Sequence, residues 1–154
     1  QEQQVGLMIN PTFLSRFGKP LIDYWGKRRA EWFYPVARLL QSGVMLGAGS
    51  DGPNITPVNP LLGIHLLSRR SWLEPSGEQC LHPEQAISRQ QAFELYTTGN
   101  ARLLGWPDAG RLAAGCWADY VLWEEDLLSA EDEVFLKLKP VQTVVGGRTV
   151  NTKM

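Results

Sequence analysis

Val44-Met45-Leu46-Gly47-Ala48-Gly49-Ser50-Asp51-Gly52-Pro53 is the stretch on which the fold turns. Its first six residues are apolar or small and read as a short buried strand. The last four are turn formers. By letter, Gly47 to Gly52 matches the G-x-G-x-x-G of dinucleotide-binding proteins. That pattern needs its third glycine in the opening of a helix whose N-terminus takes the pyrophosphate. Here Pro53, Pro57 and Pro60 follow, so the chain stays irregular and the nucleotide assignment fails on context. Two alternatives remain open on composition alone. Asp51 stands at the C-terminal end of a buried parallel strand, where (β/α) barrels keep their catalytic groups, or Asp-Gly-Pro-Asn is a solvated turn.

Working outward, Val5 to Ile9 is a second buried strand, closed by Asn10-Pro11. Residues 12–26 read as irregular, with Gly18, Pro20 and Gly26 as breakers. From Lys27 to Ser42 the apolar spacing is helical, with Pro35 implying a kink or a late start and Gly43 a stop. Asn59 and Pro60 look like an N-cap followed by proline at the first helical position, opening a helix that ends near Arg70. Residues 71–84 read as a loop. Ser88 and Gln91 form a capping box for a helical stripe that ends at Gly105. Short strands are expected at 110–112 and 118–123. Val141 to Val145, Gly146-Gly147 and Arg148 to Val150 read as a hairpin. The order begins as βαβα units of a parallel sheet. Two such strands can neither close a barrel nor bury a sheet on both faces. The expectation is therefore a fold with missing neighbours, exposed Leu7, Ile9, Val44 and Leu46, and an open sheet edge.

The 154 residues are 44% hydrophobic and 20% charged, with a net charge of −1. That balance offers no electrostatic case for nucleic acid or an anionic membrane. No apolar run approaches the roughly 20 residues of a membrane span, and no signal peptide is visible, so a cytoplasmic location is expected. Cys80 and Cys116 sit in no metal-like spacing and read as free thiols. Six tryptophans in a chain this short call for an apolar environment or an interface.

Several segments, in order, resemble the metal-dependent amidohydrolase superfamily, and within it the large-barrel branch that includes N-substituted formamide deformylase. "VMLGAGSDGP" resembles its last barrel strand and loop. "PVARLLQSG" and "PLLGIHLLSRR" resemble the flanking helices. "AISRQQAFELYTTGNARLLGW" resembles the helical stretch that follows. "GRLAAGCWADYVLWEEDLL" and "VQTVVGGRTV" resemble the closing strands of a small β-sandwich. The resemblance implies an α/β fragment. Residues 1–105 would be the last two βα units of a (β/α)8 TIM-type barrel, and 106–154 part of the sandwich.

It also implies hydrolysis of a non-peptide carbon–nitrogen bond in an amide or formamide. Asp51 would be a ligand to a divalent metal, zinc, and the general base, taking a proton from the attacking water and passing it to the leaving nitrogen. Asn10 and Ser50 would line the substrate mouth. The family's other ligands are a His-x-His pair, a carboxylate or modified lysine, and two further histidines. The only histidines here, His65 and His82, match none of these. A catalytic zinc usually takes three protein ligands, so the partners implied are a small-molecule amide and the N-terminal half of the same protein. By itself the chain is expected to be inactive. The rival expectation is a non-catalytic α/β domain or pseudo-enzyme serving as an interaction module. Asp119 reads as structural, Glu124-Glu125-Asp126 as a solvated edge, and Arg69-Arg70 as facing either the metal-site rim or solvent.

Overall fold

The computed structural model describes residues 5–74 and 77–152. β1 (Gly6–Ile9) and β2 (Met45–Ala48) pair in parallel with Gly6 beside Met45 and Ile9 beside Ala48. Gly49 N donates to Ile9 O at 2.8 Å, extending the pairing to the edge of the Ser50-Asp51 turn. The expected parallel pair is present.

The segment 12–26 is not irregular. It forms α1 (Phe13–Trp25), with Pro20 inside it. An internal proline costs a helix about 3 kcal/mol, and packing opposes that cost. Leu14 is fully buried. Gly18 lies so close to Trp72 that a Cβ there would meet the indole at 2.5 Å, and Phe13 and Phe17 meet edge to face at 5.2 Å. The breaker residues therefore act in packing and at the end of the helix, where Gly26 is the C-cap at φ 76°. Pro35 divides the next stretch completely, into α2 (Lys27–Ala30) and α3 (Val36–Gln41). Proline disfavours helical geometry in the residue before it, and Tyr34 takes φ 52°.

α4 (Pro60–Arg69) opens as expected, with Asn59 Oδ1 accepting from Leu61 N at 3.0 Å. The loop expected at 71–84 contains an antiparallel pair, β3 (Ser71–Glu74) and β4 (Gly77–Cys80); Pro75 and Ser76 lie outside the described residues. The sequences SWLE and GEQC carry little apolar alternation, which is why periodicity missed them. Here Trp72 supplies the anchor, 6% exposed. The capping box of Ser88 and Gln91 is formed. It opens a continuous helical run of α5 (Arg89–Glu94), a π-helical turn (Leu95–Gly99) and α6 (Asn100–Leu104), ending at Gly105 with φ 67°. Gly110 and Arg111 form a bend and Leu112 is irregular, where a strand was expected. Gly110 lies against Thr97, whose carbonyl oxygen would meet a Cβ there at 2.7 Å.

β5 (Tyr120–Trp123), β6 (Pro140–Val145) and β7 (Arg148–Thr152) form an antiparallel sheet, and the Gly146-Gly147 hairpin stands where expected. Asp119 is structural there, its Oδ1 accepting from Gly146 N at 2.6 Å. α7 (Asp132–Phe135) precedes β6.

Ile9, Val36, Leu46, Ala48, Leu61, Ile64, Leu67, Leu95, Leu127 and Phe135 share one buried cluster. The expected exposure of Ile9 and Leu46 is thus corrected: they are 5% and 4% exposed, covered in that cluster by Val36 of α3, Leu61, Ile64 and Leu67 of α4, and Leu95, while Leu7 and Val44 are half-buried at its margin. The other face of the pair carries exposed Met8 and Met45. The outer edge of β2 is also occupied. Asn100 Nδ2 donates to Ala48 O at 2.9 Å while its Oδ1 accepts from Ala48 N at 3.0 Å. One side-chain amide so provides the donor and acceptor that a neighbouring strand would offer. Gly99 lets the helix approach this edge, since a Cβ there would lie 2.4 Å from Leu46 O.

Candidate functional site

Because β1 and β2 run in parallel and in register, Asn10 and Ser50-Asp51 leave the sheet at the same end. Asp51 is exposed and takes φ 54°, in the left-handed region that aspartate tolerates better than most residues. A chain of hydroxyls fixes the turn before it. Thr12 donates to Thr56 Oγ1 at 3.0 Å, and Thr56 donates to the Ser50 carbonyl. Both threonines are buried. Ser50 Oγ accepts from Gly52 N at 3.1 Å and so closes the turn on itself. Tyr96 donates to the Gly49 carbonyl at 3.3 Å, its phenol pushed up by burial. Asn10 Oδ1 would lie 3.2 Å from a Cβ at Gly49, so this glycine lets β2 pass beneath the asparagine.

Tyr34 joins the same group. Burial pushes its phenol up, hydrogen bonding with the Asn10 backbone acts in the opposite sense, and the Asp51 charge raises it again. Its ring stacks on Phe33 at 4.5 Å and packs against both buried clusters. The sequence marked Asn10, Ser50 and Asp51 but not Tyr34.

Arg69 and Arg70 do not share one fate. Arg69 Nε donates to Asp132 Oδ2 at 2.6 Å. Arg70 is fully buried and neither meets the Asp51 mouth nor faces solvent. Its guanidinium binds the carbonyls of Leu81 (3.0 Å), Tyr34 (3.2 Å) and Phe33 (3.1 Å). Desolvation pulls its pKa down to about 10. His82 caps the short 3₁₀ turn Pro83–Gln85, with Nδ1 2.9 Å from Glu84 Oε1. His65 is half-buried, and its Nδ1 has no partner. Both thiols are free. Among the described residues no three His, Cys, Asp or Glu side chains converge on a point that would hold a metal ion. The described residues by themselves do not fit a catalytic zinc; at this mouth they offer one carboxylate, Asp51.

His65 and Asp132 set an acid limit on stability. Burial pulls His65 down, and among the charges facing it Asp132 and Glu78 oppose that shift while Arg69 and Arg89 add to it. Burial alone would raise Asp132, but the hydrogen bond and charge of Arg69, with His65 and Arg89, outweigh it and hold the carboxyl low. Each group binds its proton less readily when folded than when unfolded, so the unfolded state gains protons first as pH falls. The His65 contribution is full above its unfolded value of 6.5 and is lost on going lower. The Asp132 contribution is full above 3.8 and is lost below it. The urea midpoint should hold steady above about pH 7, decline below it and steepen below about pH 4. Asp132→Asn should weaken the second component without abolishing it, because Glu84 and Asp126 are also held low, and a pH-independent midpoint would contradict both.

The sequence profile of the amidohydrolase family matches residues 2–151. The chain is 29% identical to YtcJ of Bacillus subtilis, a protein named as an amidohydrolase, over 97% of this chain and 28% of that protein. It is 34% identical over 88 residues to a 5-methylthioadenosine/S-adenosylhomocysteine deaminase of Carboxydothermus hydrogenoformans, covering 57% of this chain and 19% of the deaminase. Among solved structures it resembles a metal-dependent hydrolase of Pyrococcus horikoshii. The TM-score is 0.65 at 26% identity, covering 84% of this chain and 26% of the other. A metal-dependent hydrolase of Pyrococcus furiosus gives a TM-score of 0.55 at 29% identity, covering 73% and 22%. The chain thus spans under a third of the length of the relatives it matches.

Proposed function

The chain belongs to the amidohydrolase family, and from that premise we propose that it is the C-terminal portion of a metal-dependent hydrolase acting on an amide or formamide. Asp51 is the base of that reaction. The observation that carries the proposal is the placement of Asp51 just past the end of β2, beside Asn10 at the same end of the parallel neighbour. In a (β/α)8 barrel this end of the strands is the catalytic face, and β1 and β2 are read as the last two strands of such a barrel, residues 1–105. Residues 106–154 supply strands of the accompanying sandwich.

This chain's own residues have limited, separable tasks. Asp51 accepts a proton from the attacking water and delivers it to the leaving nitrogen. Asn10 and Ser50 border the substrate, with the Ser50 carbonyl held by Thr56. Asp51 is also read as a zinc ligand, and the remaining ligands come from the N-terminal half of the same protein. When bound, the metal supplies Lewis acidity.

The test uses the full-length protein and a panel of N-formyl amines and simple amides. Turnover of at least one member, loss of turnover on chelation and its return with added zinc are expected. Stoichiometric zinc and turnover in the isolated 154-residue chain would refute the division of ligands. A full-length protein that binds no metal and hydrolyses nothing on the panel would favour the interaction-module alternative.

A further inference from the structure

The peptide plane that leads into Asp51 is pinned from outside its own turn. A peptide unit is planar, so fixing the Ser50 carbonyl oxygen fixes the Ser50–Asp51 plane, from which the φ of Asp51 is measured. Thr56 Oγ1 donates to that oxygen. Thr12 Oγ1 donates to Thr56 Oγ1 at 3.0 Å and lies 3.3 Å from the same carbonyl. Thr12 and Thr56 are 0% and 3% exposed, so water does not compete for these bonds. Beyond Asp51, Gly52 N donates to Ser50 Oγ at 3.1 Å. A Cβ at Gly52 would lie 2.7 Å from Thr56 O, so residues 50–56 close tightly on themselves. Asp51 stands between these pins at φ 54°.

Helix stability does not account for this use of Thr12. It is the N-cap of α1, yet its hydroxyl makes no capping bond there, although threonine is a preferred residue for that task. The hydroxyl reaches instead to a partner 44 residues away. The left-handed conformation of Asp51 is one that L-residues avoid, and it persists only where the surroundings over-determine it. A buried hydroxyl chain between the segment after β1 and the loop after β2 supplies that restraint. The two strand ends are locked together where Asp51 leaves the sheet.

We propose that Thr56, with Thr12 behind it, is a positioning residue for proton transfer at Asp51: the two hydroxyls hold the Ser50 carbonyl and, through it, the Asp51 backbone in its left-handed turn. This rests on the assignment of Asp51 as the base. Neither hydroxyl touches the reacting atoms. Water oxygen bonds to the acyl carbon as one water proton passes to Asp51. The carbon–nitrogen bond then breaks, and Asp51 delivers that proton to the nitrogen. One carboxylate serves both transfers, so it must keep its place through the whole sequence. A displacement of about 1 Å can cost about 10²-fold in rate. A restraint on the base acts on the chemical step rather than on substrate binding.

The experiment compares wild type, Thr56→Val, Thr56→Ser and Asp51→Asn in the full-length protein, on whichever panel compound the wild type hydrolyses. Rates are taken per mole of folded, zinc-loaded protein. Valine keeps the shape and removes the donor, whereas serine keeps the donor. Thr56→Val should lower kcat about 10–10²-fold with KM changed less than about threefold, and Thr56→Ser should recover kcat to within about threefold of wild type. A crystal structure of Thr56→Val, which reads the restraint without any substrate, should show Asp51 outside the left-handed region. A kcat within about threefold of wild type in Thr56→Val, with Asp51→Asn inactive, overturns the role of Thr56 alone. So does an unchanged Asp51 turn in the crystal, or an equal loss in Thr56→Ser and Thr56→Val, which would make the threonine a packing residue. Near-wild-type activity in Asp51→Asn overturns the assignment beneath it. If Thr56→Val does not fold, Thr12→Val decides, one bond further from the carbonyl. A fall in kcat of about 3–10-fold at unchanged KM supports the hydroxyl chain, and an unchanged kcat overturns it.

Discussion

The full-length protein carrying Asp51→Asn is expected to lose roughly 10²–10⁴-fold in kcat, the usual range for removing a positioned general base. At 1.36 kcal/mol per tenfold, that is about 3–5 kcal/mol of transition-state stabilisation. Asparagine is the informative replacement. Asp51 sits at φ 54°, and asparagine, like aspartate, tolerates the left-handed region because its short side chain bonds locally. The turn is otherwise set by groups that the change does not touch: the Thr12–Thr56–Ser50 hydroxyl chain and the Gly52 N to Ser50 Oγ bond. Asp51→Asn therefore removes a proton acceptor and a charge from an intact turn. Asp51→Ala would also alter backbone preference and confuse the two effects. Steady-state kinetics with zinc quantified in parallel is the measurement. Activity within about tenfold of wild type would be too small a loss for a general base and would return Asp51 to the status of a turn residue.

The sequence carried the strands around this site well, and the physical reason is local. Val5 to Ile9 and Val44 to Gly49 are short apolar runs bounded by turn residues, and both pair as parallel strands. The Asn59-Pro60 start, the Ser88–Gln91 box and the Gly146-Gly147 hairpin were legible for the same reason, because each is decided by groups within a few residues. What sequence misjudged was decided at a distance. α1 survives Pro20 because Gly18 receives Trp72, 54 residues further along the chain. β3 and β4 form around that same buried Trp72 rather than from any alternation of their own.

The candidate site divides in the same way. Asp51 could be picked out because glycines and a turn surround it at the end of an apolar run. The shape of the Phe33-Tyr34 turn could not, because its carbonyls are held by Arg70, a residue that composition assigns to the surface. Lysine and arginine are almost never fully buried unless paired, and the pairing here is with main-chain carbonyls that no sequence pattern displays. Leu127 and Phe135 likewise enter the cluster around Ile9 and Leu46 from far along the chain. Arg89 fastens that segment, with its guanidinium 4.5 Å from the Phe135 ring and Nη2 2.6 Å from Asp132 Oδ1.

Arg70→Met should therefore be the most damaging single substitution away from Asp51, lowering the stability of the full-length protein by about 3–5 kcal/mol. Methionine fills similar space but donates no hydrogen bond, so it leaves the carbonyls of Leu81, Tyr34 and Phe33 without the donor that now reaches them. Each buried acceptor left unmade costs about 1–3 kcal/mol. Removing the charge offsets part of this, because the guanidinium is held in a site that pulls its pKa down to about 10. Three lost bonds outweigh that relief. Arg70→Lys should fail nearly as badly, since one compact ammonium cannot reproduce the planar fork that reaches three carbonyls. Arg70→Gly separates the remaining term: Arg70 has φ 57°, so glycine relaxes the helix end while removing the clamp. The order of stability expected from urea unfolding is wild type above Arg70→Lys, with Arg70→Met and Arg70→Gly lowest. A loss below about 1 kcal/mol for Arg70→Met would mean that the carbonyls find other donors, and that the 33–34 turn holds its shape without the arginine.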